Sequence, residues 1–156
     1  ASSPTAYTEA VIMTAVIDAK ERRDAATVDI PNAFCQMVIA DEDAEHRVIV
    51  RLRDPVVEIL CEIAPKVYLD YVTTNKKGEK VLLVQCMNAL YGSMIASVLF
   101  YKKLVLSLTN NGFKLNPYNP CVANKTVDYK ALTICFHVED CKISHKSTGV
   151  VDDTIE

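Results

Sequence analysis

Residues 131–145, ALTICFHVEDCKISH, are the stretch on which the fold turns. Leu132, Ile134, Phe136 and Val138 fall on one side of an extended chain, while Ala131, Thr133, Cys135 and His137 fall on the other. That is the period of two expected of a strand. Glu139 and Asp140 interrupt the alternation, and Cys141 to His145 resumes it, so the segment reads as a β-hairpin carrying two acids at its tip.

Working outward, Ala25 to Ile30 alternates in the same way, with Ala26, Val28 and Ile30 on one face and Ala25, Thr27 and Asp29 on the other. Pro31 ends this strand because proline cannot donate to a ladder. Before it, Thr5 to Arg23 reads as a helix with an apolar stripe of Tyr7, Ala10, Val11, Thr14 and Ile17, widened by Ile12, Met13, Ala15 and Val16. Arg22 and Arg23 are expected in its last turn, where cations suit the helix dipole. Val48, Val50 and Leu52 alternate with Arg47, Ile49, Arg51 and Arg53, a strand with a basic outer face. Pro55 starts a short helix through Val56, Ile59 and Leu60, and Asn75 to Gly78 turns into a strand over Lys80 to Cys86. Ser93 to Thr109 is a long helix, closed by Asn110, Asn111 and Gly112. The steps Asn116-Pro117 and Asn119-Pro120 make a rigid turn before further strands. Helices mixed with non-crossover strands indicate an α+β class, an antiparallel sheet packed on helices.

With 156 residues, half of them hydrophobic and 24% charged, the chain is expected to form a single domain over 1–156 with one core. No apolar run reaches the ~20 residues of a membrane span, and no secretory leader precedes the first helix, so an intracellular, cytoplasmic setting is expected. The cysteines, Cys35, Cys61, Cys86, Cys121, Cys135 and Cys141, include no Cys-x-x-Cys pair, and reduced thiols are expected of them. A net charge of -3 supplies no general attraction for nucleic acid. Ala1 in place of an initiating Met reads as a piece of a longer translation.

Strand parity puts Asp29 on the face shared with Thr27, and Glu139 on the face shared with Cys135 and His137. If the two strands are neighbours, ~4.8 Å apart, both carboxylates leave one solvent-facing side of the sheet, with Asp140 beside them. Two divalent ions roughly 3.5–4 Å apart need such a cluster to activate a hydroxyl and to stabilise a leaving phosphate, and hard oxygen ligands suit magnesium. Read from residues alone, Asp29 capping a turn and an ordinary polar hairpin tip account for the same acids.

The run from Ala26 to Phe34, ATVDIPNAF, resembles the first palm motif of copia-type reverse transcriptases from long terminal repeat retrotransposons. Asn88-Ala-Leu-Tyr-Gly92, with the helix carrying Phe100 to Leu104, resembles that family's Ala-Leu-Tyr-Gly motif and the helix after it. Gly112-Phe113 and Asn119-Pro120-Cys121-Val122 are similar to two further steps, and Phe136 to Asp140, FHVED, stands where the family has its Tyr-Val-Asp-Asp hairpin. The order and spacing hold over nearly the whole chain.

The resemblance implies a reverse-transcriptase palm with partial fingers, its thumb outside this stretch. It implies an RNA-directed DNA polymerase acting by two-metal nucleotidyl transfer, a primer–template of RNA or DNA, deoxynucleotide triphosphates, and a polyprotein that also carries thumb, RNase H and integrase. Two Mg2+ ions would be held by Asp29, Glu139 and Asp140, with the carbonyl of Ile30 beside them. Phe34 would crowd a ribose 2′-hydroxyl, and Tyr91 and Gly92 would line the nucleotide. Element-derived particles are the corresponding location. Two departures point to an impaired centre. Glu139 replaces an Asp, moving its carboxylate by about 1.5 Å, and a displacement near 1 Å can cost on the order of a hundredfold in rate. Met94 and Ile95 stand where the helix usually offers a basic or amide residue. A catalytically inactive remnant that only folds or binds nucleic acid is the alternative.

Other clusters have blander readings. Cys135, His137, Cys141 and His145 could be drawn as a zinc site, but their spacing fits no established finger. Val151-Asp152-Asp153 reads as the acidic first turn of a further helix. Arg47, Arg51 and Arg53 suit either a template backbone or a solvated strand face. Asp41-Glu42-Asp43 reads as a solvated loop, and His46 carries no signal.

Overall fold

The computed structural model describes residues 3–39 and 47–155 of the chain, which form two compact units, one from 1–37 with 91–156 and the other from 38–90. The class is α+β, with antiparallel pairing in both sheets. Asp41-Glu42-Asp43 and His46 lie outside the described residues. Among those described, no helix is long and apolar enough to cross a membrane.

In the first unit, α1 (Thr8–Glu21) leads into β1 (Asp24–Asp29). Further along come α4 (Met94–Asn110), β5 (Lys114–Leu115), β6 (Val122–Val127), β7 (Lys130–His137), β8 (Asp140–His145) and α5 (Thr148–Ile155). The strands form one sheet in the order β1-β8-β7-β6-β5. Its core face follows the sequence parity. Leu132, Ile134 and Phe136 of β7, Cys141 and Ile143 of β8 and Ala123 of β6 are buried with Leu108 of α4 and Val151 of α5, and Ala26, Val28 and Ile30 pack against them. Asn111 and Gly112 close α4, Gly112 at a φ of 83° that glycine adopts without strain. Between β5 and β6 the Asn116 Oδ1 accepts the Tyr118 and Asn119 N–H groups, the local hydrogen bonding by which Asn favours turns.

The opposite face of the sheet is not left to solvent along its length. Thr133, Cys135 and Ser144 are also buried, because α1 lies over them: the Asp18 carboxylate takes the Lys142 Nζ and the Ser144 Oγ. This corrects the expected orientation of α1. Its buried positions are Thr14 and Asp18, whereas Tyr7, Val11, Ile12, Met13, Val16 and Ile17 of the apolar stripe are exposed. The helix is also shorter than Thr5 to Arg23. Tyr7 is extended and Arg22 is left-handed, so Arg22 and Arg23 lie beyond the last turn and Lys20 is the cation within it. In α5, Asp152 and Asp153 fall after the first turn, which holds no acid, so the dipole does not account for them.

The second unit is smaller. Its strands β2 (Ile49–Arg53), β3 (Thr73–Thr74) and β4 (Lys80–Gln85) pair in the order β2-β4-β3. Between β2 and β3 run α2 (Val56–Ile63) and α3 (Pro65–Tyr68). Val57, Val81 and Leu82 are its buried apolar residues on these elements. Arg51 and Arg53 are exposed and Val50 and Leu52 half-buried, matching the expected basic outer face.

Candidate active site

The acids singled out in the sequence gather at one end of the five-stranded sheet. β1 and β8 run antiparallel with Asp29 opposite Asp140, and β7 pairs with β8 so that His137 also faces Asp140. Directly opposed residues share a face with Cα atoms roughly 4.5–5.5 Å apart, so Asp29, Asp140 and His137 form one exposed polar row beyond the cover of α1. Val28, Phe136 and Cys141 are on the other, core-facing side. A recess of about 250 Å³ runs from Ala6 and Val11 to Asp140 and His137, marking where the start of α1 meets the row.

Glu139 is placed differently from the parity argument. The hairpin turn is Val138 and Glu139, and Asp140 is already the first residue of β8. Val138 has a φ of 57°. Positive φ at the first turn residue alone is the pattern of a type II′ hairpin, a position that glycine usually fills. A β-branched residue there is strained. The Ile30 N–H donates to the Glu139 carbonyl at 3.2 Å, which ties the end of β1 to the turn. The Glu139 side chain accepts a hydrogen bond from the Tyr91 hydroxyl at 3.2 Å.

Tyr91 reaches that position through local geometry that the sequence dictates. Gly92 follows it at a φ of 87°, open to glycine, and Ser93 then caps α4 by accepting the Ala96 N–H on its Oγ at 3.3 Å. The Tyr91 ring lies 4.9 Å from that of Phe34, which stands edge-on to Phe100 at 5.9 Å. Phe34 opens a short 3₁₀ turn, Phe34–Gln36. Desolvation first, then the hydrogen bond to Glu139 and the negative charges of Glu139 and Asp29, push the Tyr91 hydroxyl above the ordinary tyrosine value. It therefore stays protonated at neutral pH and acts as the donor to Glu139.

Asp29, Ile30, Phe34, Tyr91, Gly92, Glu139 and Asp140 all lie in the first unit, and the contacts above link Asp29 with Asp140, Ile30 with Glu139, Glu139 with Tyr91, and Tyr91 with Phe34. Among the described residues, no group of three acidic, histidine or cysteine side chains is placed to hold a metal ion. The chemistry of the donors suits a hard divalent ion at Asp29 and Asp140, two exposed carboxylates on facing positions. The Glu139 carboxylate is engaged by the Tyr91 hydroxyl. The cysteine–histidine set does not converge. Cys135 and His137 share the polar face, while Cys141 and His145 alternate onto the other. The His145 Nδ1 accepts the Ser147 N–H, and its Nε2 meets the Val127 carbonyl.

The sequence reading missed Asp18, the buried acid that fastens α1 to the sheet. Its one signal is an acid four residues after Thr14, on the same helical face. Comparison of the chain with family models, curated proteins and solved structures finds no match.

Proposed function

We propose that the chain is the palm core, with part of the fingers, of a copia-type reverse transcriptase. In a longer polyprotein with thumb, RNase H and integrase, it would extend an RNA or DNA primer–template with deoxynucleotide triphosphates. The observation that supports this reading is the pairing of Asp29 with Asp140 on an exposed sheet end, since these acids come from the two segments most like the family's metal-binding motifs. Tyr91, Gly92 and Phe34 stand beside the same hairpin, as expected of residues lining a nucleotide.

In this reading Asp29 and Asp140 would hold magnesium, which would supply charge neutralisation at the phosphates undergoing transfer. The chain's own residues position the reactants. Phe34, buttressed by Phe100, presents a rigid ring against the sugar. Tyr91 is carried on the rigid Gly92–Ser93 entry to α4.

A second reading, a catalytically inactive copy that still folds, is favoured by the Tyr91–Glu139 hydrogen bond and by the lack of a three-acid group among the described residues. One set of variants separates the two. Mn2+ binding, followed by water proton relaxation, should weaken in Asp29→Asn and in Asp140→Asn. It should strengthen in Glu139→Asp, whose shorter side chain leaves Tyr91 and turns to the row. Primer extension should rise with it, by up to the order of a hundredfold that a displacement near 1 Å can cost. Mn2+ binding indifferent to Asp29→Asn would refute the metal assignment. Improved binding in Glu139→Asp without extension would favour the inactive copy.

A further inference from the structure

A cavity of about 450 Å³ lies between α1 and the β6–β7 half of the sheet, and none of the acid row, Glu139, Tyr91 or Phe34 lines it. Its volume is within the range of small-molecule sites. Ala10, Met13 and Ile17 from α1 face Val122 and Ala131 from the sheet, so the walls are largely apolar.

The polar groups in the wall define what could enter. Two buried charges line the cavity, and both are already neutralised, while the exposed carboxylate of Glu9 stands at its rim. Asp18 takes Lys142 and Ser144, while Arg23 donates from Nε to Glu21 and from NH1 to the Thr133 Oγ1, each at 3.0 Å. An anionic ligand would therefore be desolvated without a free counter-ion, and a cation, which Glu9 can meet only at the exposed rim, brings no acceptor for the amide donors in the wall. The wall also carries three asparagine amides, and each has its oxygen in use. Asn116 Oδ1 accepts the Tyr118 and Asn119 N–H groups, Asn119 Oδ1 accepts the Cys121 N–H, and Asn124 Oδ1 accepts the Thr133 hydroxyl. Thr133 donates there, because the Asn124 amide oxygen can only accept. What these amides have left over are NH2 donors. One of them, Asn119 Nδ2, is buried with no partner at all, an unmet requirement that native interiors rarely carry. It is shielded from bulk water, and a small rocking about the broad χ2 well of Asn119 would bring it to an oxygen in the cavity. Tyr7 and Tyr118, 60% and 88% exposed as residues, line the same cavity and offer it aromatic surface.

We propose that this cavity binds an uncharged ring compound bearing a hydrogen-bond-accepting carbonyl. The apolar walls and tyrosines take the ring, and the asparagine NH2 groups take the carbonyl oxygen. The proposal is independent of the polymerase reading and stands or falls separately from it.

Three probes with one ring and different charge test it: benzamide, benzoate and benzamidine, each titrated into the whole chain labelled with 15N. Benzamide should give saturable shifts at the Ala10, Val122 and Ala131 amides, largest at the Asn119 side-chain NH2 pair. The affinity should be low-millimolar, as for a ligand of so few atoms. Benzoate should bind at least about fivefold more weakly for want of a counter-ion, and benzamidine likewise, because its amidinium carries only donors and offers the asparagine NH2 groups no acceptor. Ala131→Phe, at an exposed strand position, should fill the cavity and abolish the benzamide shifts with the rest of the spectrum unchanged. If that variant does not fold, Tyr118→Ala removes only an exposed ring and should weaken benzamide severalfold. Either charged probe binding as tightly as benzamide would overturn the proposal. So would benzamide shifts that fail to saturate, or that survive the variant that folds.

Discussion

Asp18 is the residue whose loss should most clearly loosen α1 from the sheet. Asp18, 8% exposed as a residue, accepts the Ser144 Oγ at 2.7 Å and pairs with Lys142. In Asp18→Ala the Ser144 hydroxyl, at 0% exposure, loses its partner where water cannot replace it, a cost of about 1–3 kcal/mol. The Lys142 side chain is 21% exposed and can turn toward solvent, so its contribution falls below the roughly 3–5 kcal/mol of a broken buried pair and is set at about 1 kcal/mol. The sum is about 3 kcal/mol, which for a chain of this length lowers Tm by roughly 10 °C. Urea unfolding followed by far-UV circular dichroism measures it. Asp18→Asn keeps an acceptor for Ser144 and loses only the charge, so about half the effect should remain. Asp18→Ala combined with Ser144→Ala removes the orphaned hydroxyl and should cost less than the sum of the single changes, since the residues are in contact. A loss under about 0.5 kcal/mol for Asp18→Ala, the range of ordinary surface substitutions, would refute the assignment of α1 to the polar face.

At the acid hairpin, Val138→Gly should stabilise the protein by about 0.5–1 kcal/mol, because the relief of a left-handed L-residue exceeds the added freedom of glycine in the unfolded chain; a destabilised variant in urea would count against the turn geometry. Thiol labelling should be fast at exposed Cys35, slower at Cys61 and Cys86, and should reach Cys121, Cys135 and Cys141 only on unfolding, with equal rates at Cys35 and Cys121 contradicting the core. Burial pushes the Cys121 and Cys141 thiols up to about 11, so the unfolded chain loses these protons first and stability should fall as pH rises from about 9 toward 11. Cys121→Ala should flatten that slope by up to about 2 kcal/mol over the window, and an unchanged slope would show that the buried thiol does not contribute.

Legibility in the sequence followed the number of faces that an element buries. β1, β7 and β8 were readable because Ala26, Val28, Leu132, Ile134, Phe136 and Ile143 keep to one face, and α4 because its length, its Ser93 cap and its Gly112 stop agree. The second buried face was not, since Thr133, Cys135 and Ser144 are small or polar and look like a solvated surface until α1 lies on them. For α1 the apolar stripe misled, because helix burial is decided by what docks and here the docking groups are Thr14 and Asp18. The β6–β7 turn was hidden for another reason. Asp128 and Tyr129 both take positive φ, as a two-residue type I′ hairpin requires, without the glycine that usually announces it. The neighbouring of the acids on paired strands was legible, but their register was not. Counting alternation straight through the hairpin assigns Glu139 to the face of His137, but alternation stops at a turn and restarts on the returning strand. With Val138 and Glu139 forming the turn, Asp140 becomes the residue opposite both His137 and Asp29. A slip of one residue exchanges which acid stands in the row and which is left to Tyr91. The longer side chain of Glu139 then acquires a structural consequence: as a turn residue it spans to the Tyr91 hydroxyl and accepts its hydrogen bond.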